Sequence, residues 1–171
     1  SAVIESHHDD HHHGPAKGFS RWLYTTNHKD IGSLYLWFSF IMLFVGGAMA
    51  MVIRAELFEP GSQIVSPEFY NQMVTNHGLI MVFGVIMPAF VGLANWMIPM
   101  QIGAPDMALP RLNNLSFWIL PAAFGVLLST FLMEGGAPNF GWTFYAPLST
   151  EYAPPTVTFF IFAVHIMGAS S

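Results

Sequence analysis

The sequence predicts an all-α protein, a polytopic bundle of transmembrane helices, and three observations carry that prediction. Hydrophobic residues make up 53% of the 171 and charged residues only 9%, whereas a soluble domain carries roughly a quarter charged. Mean hydropathy is +0.49. The charges are also segregated, for no Asp, Glu, Lys or Arg occurs from Phe69 to Pro105. A helix crosses a bilayer with about 20 apolar residues, and four stretches qualify, at about 31–53, 73–99, 115–133 and 155–171. The first closes at Arg54. The fourth is still apolar at Ser171, so four spans of a larger bundle are expected, residues 21–171 forming its N-terminal part.

Ahead of the spans lies a polar tail, residues 1–20, with His7, His8, Asp9, Asp10, His11, His12 and His13 clustered in it. Such biased composition is expected to be a disordered, solvated tail, with weak transition-metal binding as the alternative. Five basic residues exclude a nucleic-acid surface. The absence of cysteine excludes disulfides, thiolate metal sites and cysteine nucleophiles, which leaves His and carboxylates as ligands. No cleavable signal peptide is visible.

Charge asymmetry gives an orientation. Lys17, Arg21 and Lys29 precede the first span and Arg111 lies between the second and third, while Glu56, Glu59, Glu68, Glu134 and Glu151 occupy the other loops. The positive-inside rule then puts the N-terminus and the loop around 100–114 in the cytoplasm. The opposite loop, 135–155, is rich in Gly, Pro and aromatics, as an ordered interfacial cap would be.

His77 opens the charge-free run. A titratable, metal-binding ring there is costly unless something pairs with it, which makes it a functional-site candidate. Met81, Gly84, Pro88, Gly92 and Asn95 follow it at helical spacing. Such a small, flat stripe suits either a slot for a planar ligand or close helix–helix packing. An imidazole ligating a haem needs a neutral ring with its second nitrogen held. His165 is the other intramembrane His, read either as a second ligand or, preferentially, as bonded to a neighbouring helix. Arg54 either snorkels to the interface or donates to a buried polar group. Asp106, in a Gly-Pro turn ahead of Asn113 and Asn114, reads as a loop cap or as a proton entry. Tyr70 falls on the His77 face, two turns outward.

These segments resemble subunit I of the haem–copper oxidases. The likeness is carried by Asn76-His77-Gly78-Leu79-Ile80-Met81, Asn95-Trp96, Ile102-Gly103-Ala104-Pro105-Asp106-Met107-Ala108 and Pro110-Arg111-Leu112-Asn113-Asn114. Thr26-Asn27-His28-Lys29-Asp30-Ile31-Gly32, Arg54-Ala55-Glu56-Leu57, Gly141-Trp142-Thr143 and His165 through Ser171 add to it. The resemblance implies a terminal respiratory oxidase that reduces dioxygen to water and pumps protons across a bacterial inner membrane. It implies that His77 is an axial ligand of a low-spin haem A, that Arg54 meets the haem formyl group, and that Tyr70 and Trp142 lie at haem propionates. It assigns Asp106 to the mouth of a proton-uptake path, with Asn95, Asn113, Ser170 and Ser171 along it. Glu56, Glu59 and Gly61 match a peripheral cation site, with calcium as the candidate ion. The second haem, the copper, and their ligands belong to helices outside these residues, and subunits II and III are the implied partners. Quinol oxidases of the family carry polar residues where this chain has Phe69, Val45 and Met49, so cytochrome c is the expected electron donor. A non-catalytic haem-binding module is the alternative from another class.

Overall fold

Asn27 starts the first long helix by turning its side-chain oxygen onto the Lys29 backbone N–H at 2.9 Å, with Asp30 in the first turn to match the helix dipole. The computed structural model describes residues 18–170; the His-rich cluster and Ser171 lie outside the described residues. A short helix, α1 (Phe19–Tyr24), leads into α2 (His28–Glu56). Arg21 of α1 pairs with Asp30 at 2.8 Å, which ties the two together.

The second span is one helical rod in three parts: α3 (Pro67–Leu79), a π-helical segment (Ile80–Ile86) and α4 (Met87–Gln101). Ser66 caps it by accepting from the Phe69 N–H, and Pro67 occupies the first turn, where its missing N–H costs nothing. Gly103, at φ 70°, ends it in the left-handed conformation that glycine adopts freely. Then come α5 (Pro110–Ser129), a 3-10 turn (Thr130–Leu132) and α6 (Val157–Ser170). Among the described residues there is no strand, so the all-α expectation holds.

Among the described residues, three helices are long and apolar enough to cross a membrane: His28–Glu56, Pro67–Gln101 and Pro110–Leu132. The helix α6, with 14 residues described, falls within the stretch expected as the fourth span. Pro154 and Pro155 hold its start back, and the ladder begins only when the Val157 N–H reaches Pro154 O at 3.0 Å.

α2 packs along the whole second span and also meets α5, which pairs with α6. Ile31, Tyr35, Phe38 and Met42 repeat at three and four residues on one face of α2 and are all buried. They meet Phe117 and Phe124 of α5 in edge-on and tilted ring contacts, Tyr35–Phe117 at 5.2 Å and Phe38–Phe124 at 5.5 Å. Trp37, Phe40, Ile41 and Phe44, on the other side of α2, are exposed. Water is not driving helix against helix in such a setting, so close packing and hydrogen bonds must hold the bundle.

The small stripe after His77 serves that packing. A Cβ on Gly92 would stand 2.9 Å from Gly32 O and 3.0 Å from the Tyr35 Cβ, and one on Gly84 would stand 3.0 Å from the Phe124 ring. Pro88 and Asn95 are buried as well. The stripe is therefore filled by α2 and α5, which corrects its reading as a slot for a planar ligand: only residues without bulk let the backbones approach this closely. Gly92→Ala is expected to destabilise the bundle by about 1–3 kcal/mol through overpacking. Gly47→Ala, where a Cβ meets nothing within 4 Å, is expected to do no harm. Thermal unfolding of the two variants in detergent checks the contrast.

Candidate functional site

His77 sits in the last turn of α3, just ahead of the π-helical segment, half-buried. Its Nδ1 lies 2.8 Å from the backbone oxygen of Gly46 on α2. A carbonyl only accepts, so Nδ1 carries the proton and donates, and in the neutral ring Nε2 is left with its lone pair. This is the held-and-oriented imidazole that metal ligation requires, its partner being a backbone carbonyl. Gly46 matters sterically too. Met81 Sδ and Ile80 press on it, and a Cβ there would stand 2.7 Å from that sulfur.

The acidic-end loop folds over the same helix. Gly141 N–H donates to Thr75 Oγ1 at 2.9 Å, and Asn76 Nδ2 donates to Pro138 O at 3.3 Å. These bonds lay Trp142 against Gly78, the residue after His77, where a Cβ would meet the indole at 3.2 Å. The expected cap is thus an ordered loop, and it packs Trp142 on the residue next to His77. Arg54 is exposed at the same end and, among the described residues, has no hydrogen bond or ion pair. It lies about 12 Å of helical rise beyond Gly46.

Glu56, Glu59 and Gly61 line one cavity of about 510 Å³ together with Tyr70 and Asn71. Glu56 is buried, and its carboxylate accepts three backbone N–H groups, from Gln63 and Ile64 at 2.8 Å and from Val65 at 3.0 Å. The carboxylate is thereby the keystone of the turn joining the first two spans. Among the described residues, no three of His, Asp and Glu are grouped to hold a metal ion.

At the basic end the polar residues form a chain across helices. Asn113 Nδ2 donates to Asn95 Oδ1 at 2.6 Å, and Asn95 Nδ2 donates to Val91 O at 2.9 Å. His28, buried, donates from Nδ1 to Asn95 O at 2.8 Å. Ser116 Oγ reaches Asn113 O at 2.7 Å and Tyr35 Oη at 2.8 Å, while Tyr35 Oη is 3.5 Å from Ser170 O. The single Tyr35 proton has two acceptors, Ser116 Oγ and Ser170 O. If it turns to Ser170, the Ser116 proton can turn to Tyr35 Oη. Such exchangeable hydroxyls suit proton movement. Asp106, half-buried, accepts from its neighbour Met107 N–H at 2.7 Å, the loop-cap geometry. Asn95, Asn113 and Ser170 are brought together; Asp106 makes no described hydrogen bond to them.

Residues 30–171 match the family described as cytochrome c and quinol oxidase polypeptide I. The chain belongs to this family. It is 46% identical over 162 residues to cytochrome c oxidase subunit 1 of Corynebacterium diphtheriae, a match covering 92% of this chain and 29% of that protein. It is 48% identical over 145 residues to the probable cytochrome c oxidase subunit 1-alpha of Streptomyces avermitilis, covering 84% of this chain and 25% of that protein. The chain spans less than a third of the length of these relatives. Membership and the apolar helices make it a multi-pass membrane protein.

Within this oxidase polypeptide the sequence reading missed Tyr35 and Ser116. Both look unremarkable on amphipathic helices, although Tyr35 falls on the buried face of α2 and Ser116 follows Asn113 by one turn. His165 departs from expectation: its Nδ1 donates to Ile161 O on its own helix at 2.8 Å, and the ring is exposed. The reason is local, since the carbonyl four residues back lies within reach of any helical His. Glu56→Ala is expected to release the 57–66 turn, raising its rate of cleavage by an added protease above that of Glu56→Gln, which keeps one acceptor oxygen.

Proposed function

We propose that this chain supplies one axial ligand of a low-spin haem and the first part of a proton path in a terminal oxidase that takes electrons from cytochrome c, reduces dioxygen to water and pumps protons. The observation that carries the reading is the His77–Gly46 bond, which leaves Nε2 as a fixed Lewis base. His77 would hold the iron, with Arg54, Tyr70 and Trp142 as neighbours of the porphyrin's polar edge; the family's A-type haem is the expected group. When bound, that haem supplies reversible one-electron transfer. The second haem, the copper and a second axial ligand would come from helices outside these residues, and subunits II and III would complete the complex in a bacterial inner membrane. Glu56, Glu59 and Gly61 are proposed to face a peripheral calcium, with Glu59 and backbone oxygens as the freer donors, because the Glu56 oxygens already accept three N–H groups.

The chain's own residues have distinct tasks in this scheme. Gly46 orients the imidazole. Arg54, with no protein partner among the described residues, is free to place its charge against a polar haem substituent, where a low dielectric strengthens its effect. Asp106 takes up a proton at the basic end, read as cytoplasmic, and the Asn95–Asn113 pair, Ser116, Tyr35, Ser170 and, beyond the described residues, Ser171 line the way inward. The apolar side chains of Phe69, Val45 and Met49 support cytochrome c over quinol as donor.

In the complete oxidase, His77→Ala is expected to abolish the low-spin haem spectrum while the protein still inserts. A normal bis-His spectrum in that variant would remove the assignment. Arg54→Met is expected to lower the low-spin midpoint potential and move its visible band, and an unchanged spectrum would exclude contact. Asp106→Asn is expected to reduce protons pumped per electron in reconstituted vesicles; a wild-type ratio would deny it the entry role.

A further inference from the structure

Three residues beyond His77 the second span changes its winding. Ile80–Ile86 closes its hydrogen bonds one residue further on than an α-helix does, as in the Met87 N–H reaching back to Val82 O. Pro88 accounts for part of this. In an α-helix its ring would meet the carbonyl of Gly84, and it has no N–H to offer the ladder. Inside a membrane, carbonyls in such a stretch need donors from elsewhere. Ser39 of α2, only 5% exposed, provides one, its Oγ donating to Val85 O at 2.7 Å. Among the described residues this is the one side-chain hydrogen bond that the π segment receives.

The segment joins two parts that are each held separately. α4 is held to α2 through the Gly32–Gly92 approach and the His28–Asn95 bond. α3 is held at Thr75 and Asn76, in its last turns beside His77, by the loop that carries Trp142, and it packs on α2 as well. A return of the segment to α winding would turn α3, and His77 with it, relative to α4 by roughly one residue's step of 100°. The His77 bond to Gly46 depends on that angle.

We propose that Ser39 is a positioning residue for His77: by holding Val85 O it keeps the segment π-wound, and the winding keeps the imidazole on Gly46 O. The inference rests on the reading of His77 as an axial haem ligand. Its test uses the complete oxidase, with the low-spin haem's reduced-minus-oxidised spectrum and midpoint potential as readouts. Ser39→Ala is expected to retain the haem but shift both band and potential. Ser39→Cys, near in volume and a weak donor, is expected to shift them in the same direction, and it serves as the test if the alanine variant fails to assemble. Ser33→Ala, which removes a hydroxyl bonded within α2 to Lys29 O, is expected to match wild type. Wild-type spectra and potentials in both Ser39 variants, or an equal shift in Ser33→Ala, would overturn the proposal. A bis-His spectrum surviving in His77→Ala would instead overturn the ligand reading beneath it.

Discussion

The close approach of α2 to the second span is the constraint on which the rest of the structure depends. At Gly32 and Gly92 the backbones come so near that neither position has room for a methyl group. That proximity puts backbone oxygens of one helix within reach of side chains of the other, three times over. His28 reaches Asn95 O, Ser39 reaches Val85 O and His77 reaches Gly46 O. Bulk at the glycines would separate the helices and lengthen all three bonds together. In hydrocarbon an unpaired polar group has no water to turn to, so these bonds contribute specificity as much as stability.

The same seam separates two chemistries along its length. Near the acidic loops it fixes one imidazole nitrogen and frees the other. Near the basic loops it orients Asn95, and Asn95 accepts from Asn113 on α5. Between the two ends the interior is apolar, with Phe38, Met42, Phe117 and Phe124 filling the space. The polar contacts at the two ends are thereby separated by packed apolar side chains.

Glu56 both lines a cavity and organises the backbone beside it. It does line a cavity with Glu59 and Gly61. Its carboxylate, however, is engaged by the backbone of the turn that follows, and this engagement organises the whole connection between the first two spans. Carboxylates that accept several N–H groups are strong structural elements in their own right.

Much was legible in the amino-acid order alone. Hydropathy marked the first three spans, because burial in lipid requires long uncharged runs. The Asn27 and Ser66 caps and the Pro67 and Pro110 starts are local effects that follow from side-chain reach. The segment around His77 and the loop through Asp106 carried the family likeness. What only the tertiary structure decided are relations between helices. The glycine stripe could have faced a ligand or a helix, and the partner surface of α2 selected the helix. Tyr35 and Ser116 became members of a polar chain only when α2, α5 and α6 met. The tautomer of His77 was set by a carbonyl 31 residues away. Periodicity specifies which face a residue occupies, but what stands opposite that face is a property of packing, and hydrogen bonds across helices exist only once the packing is made.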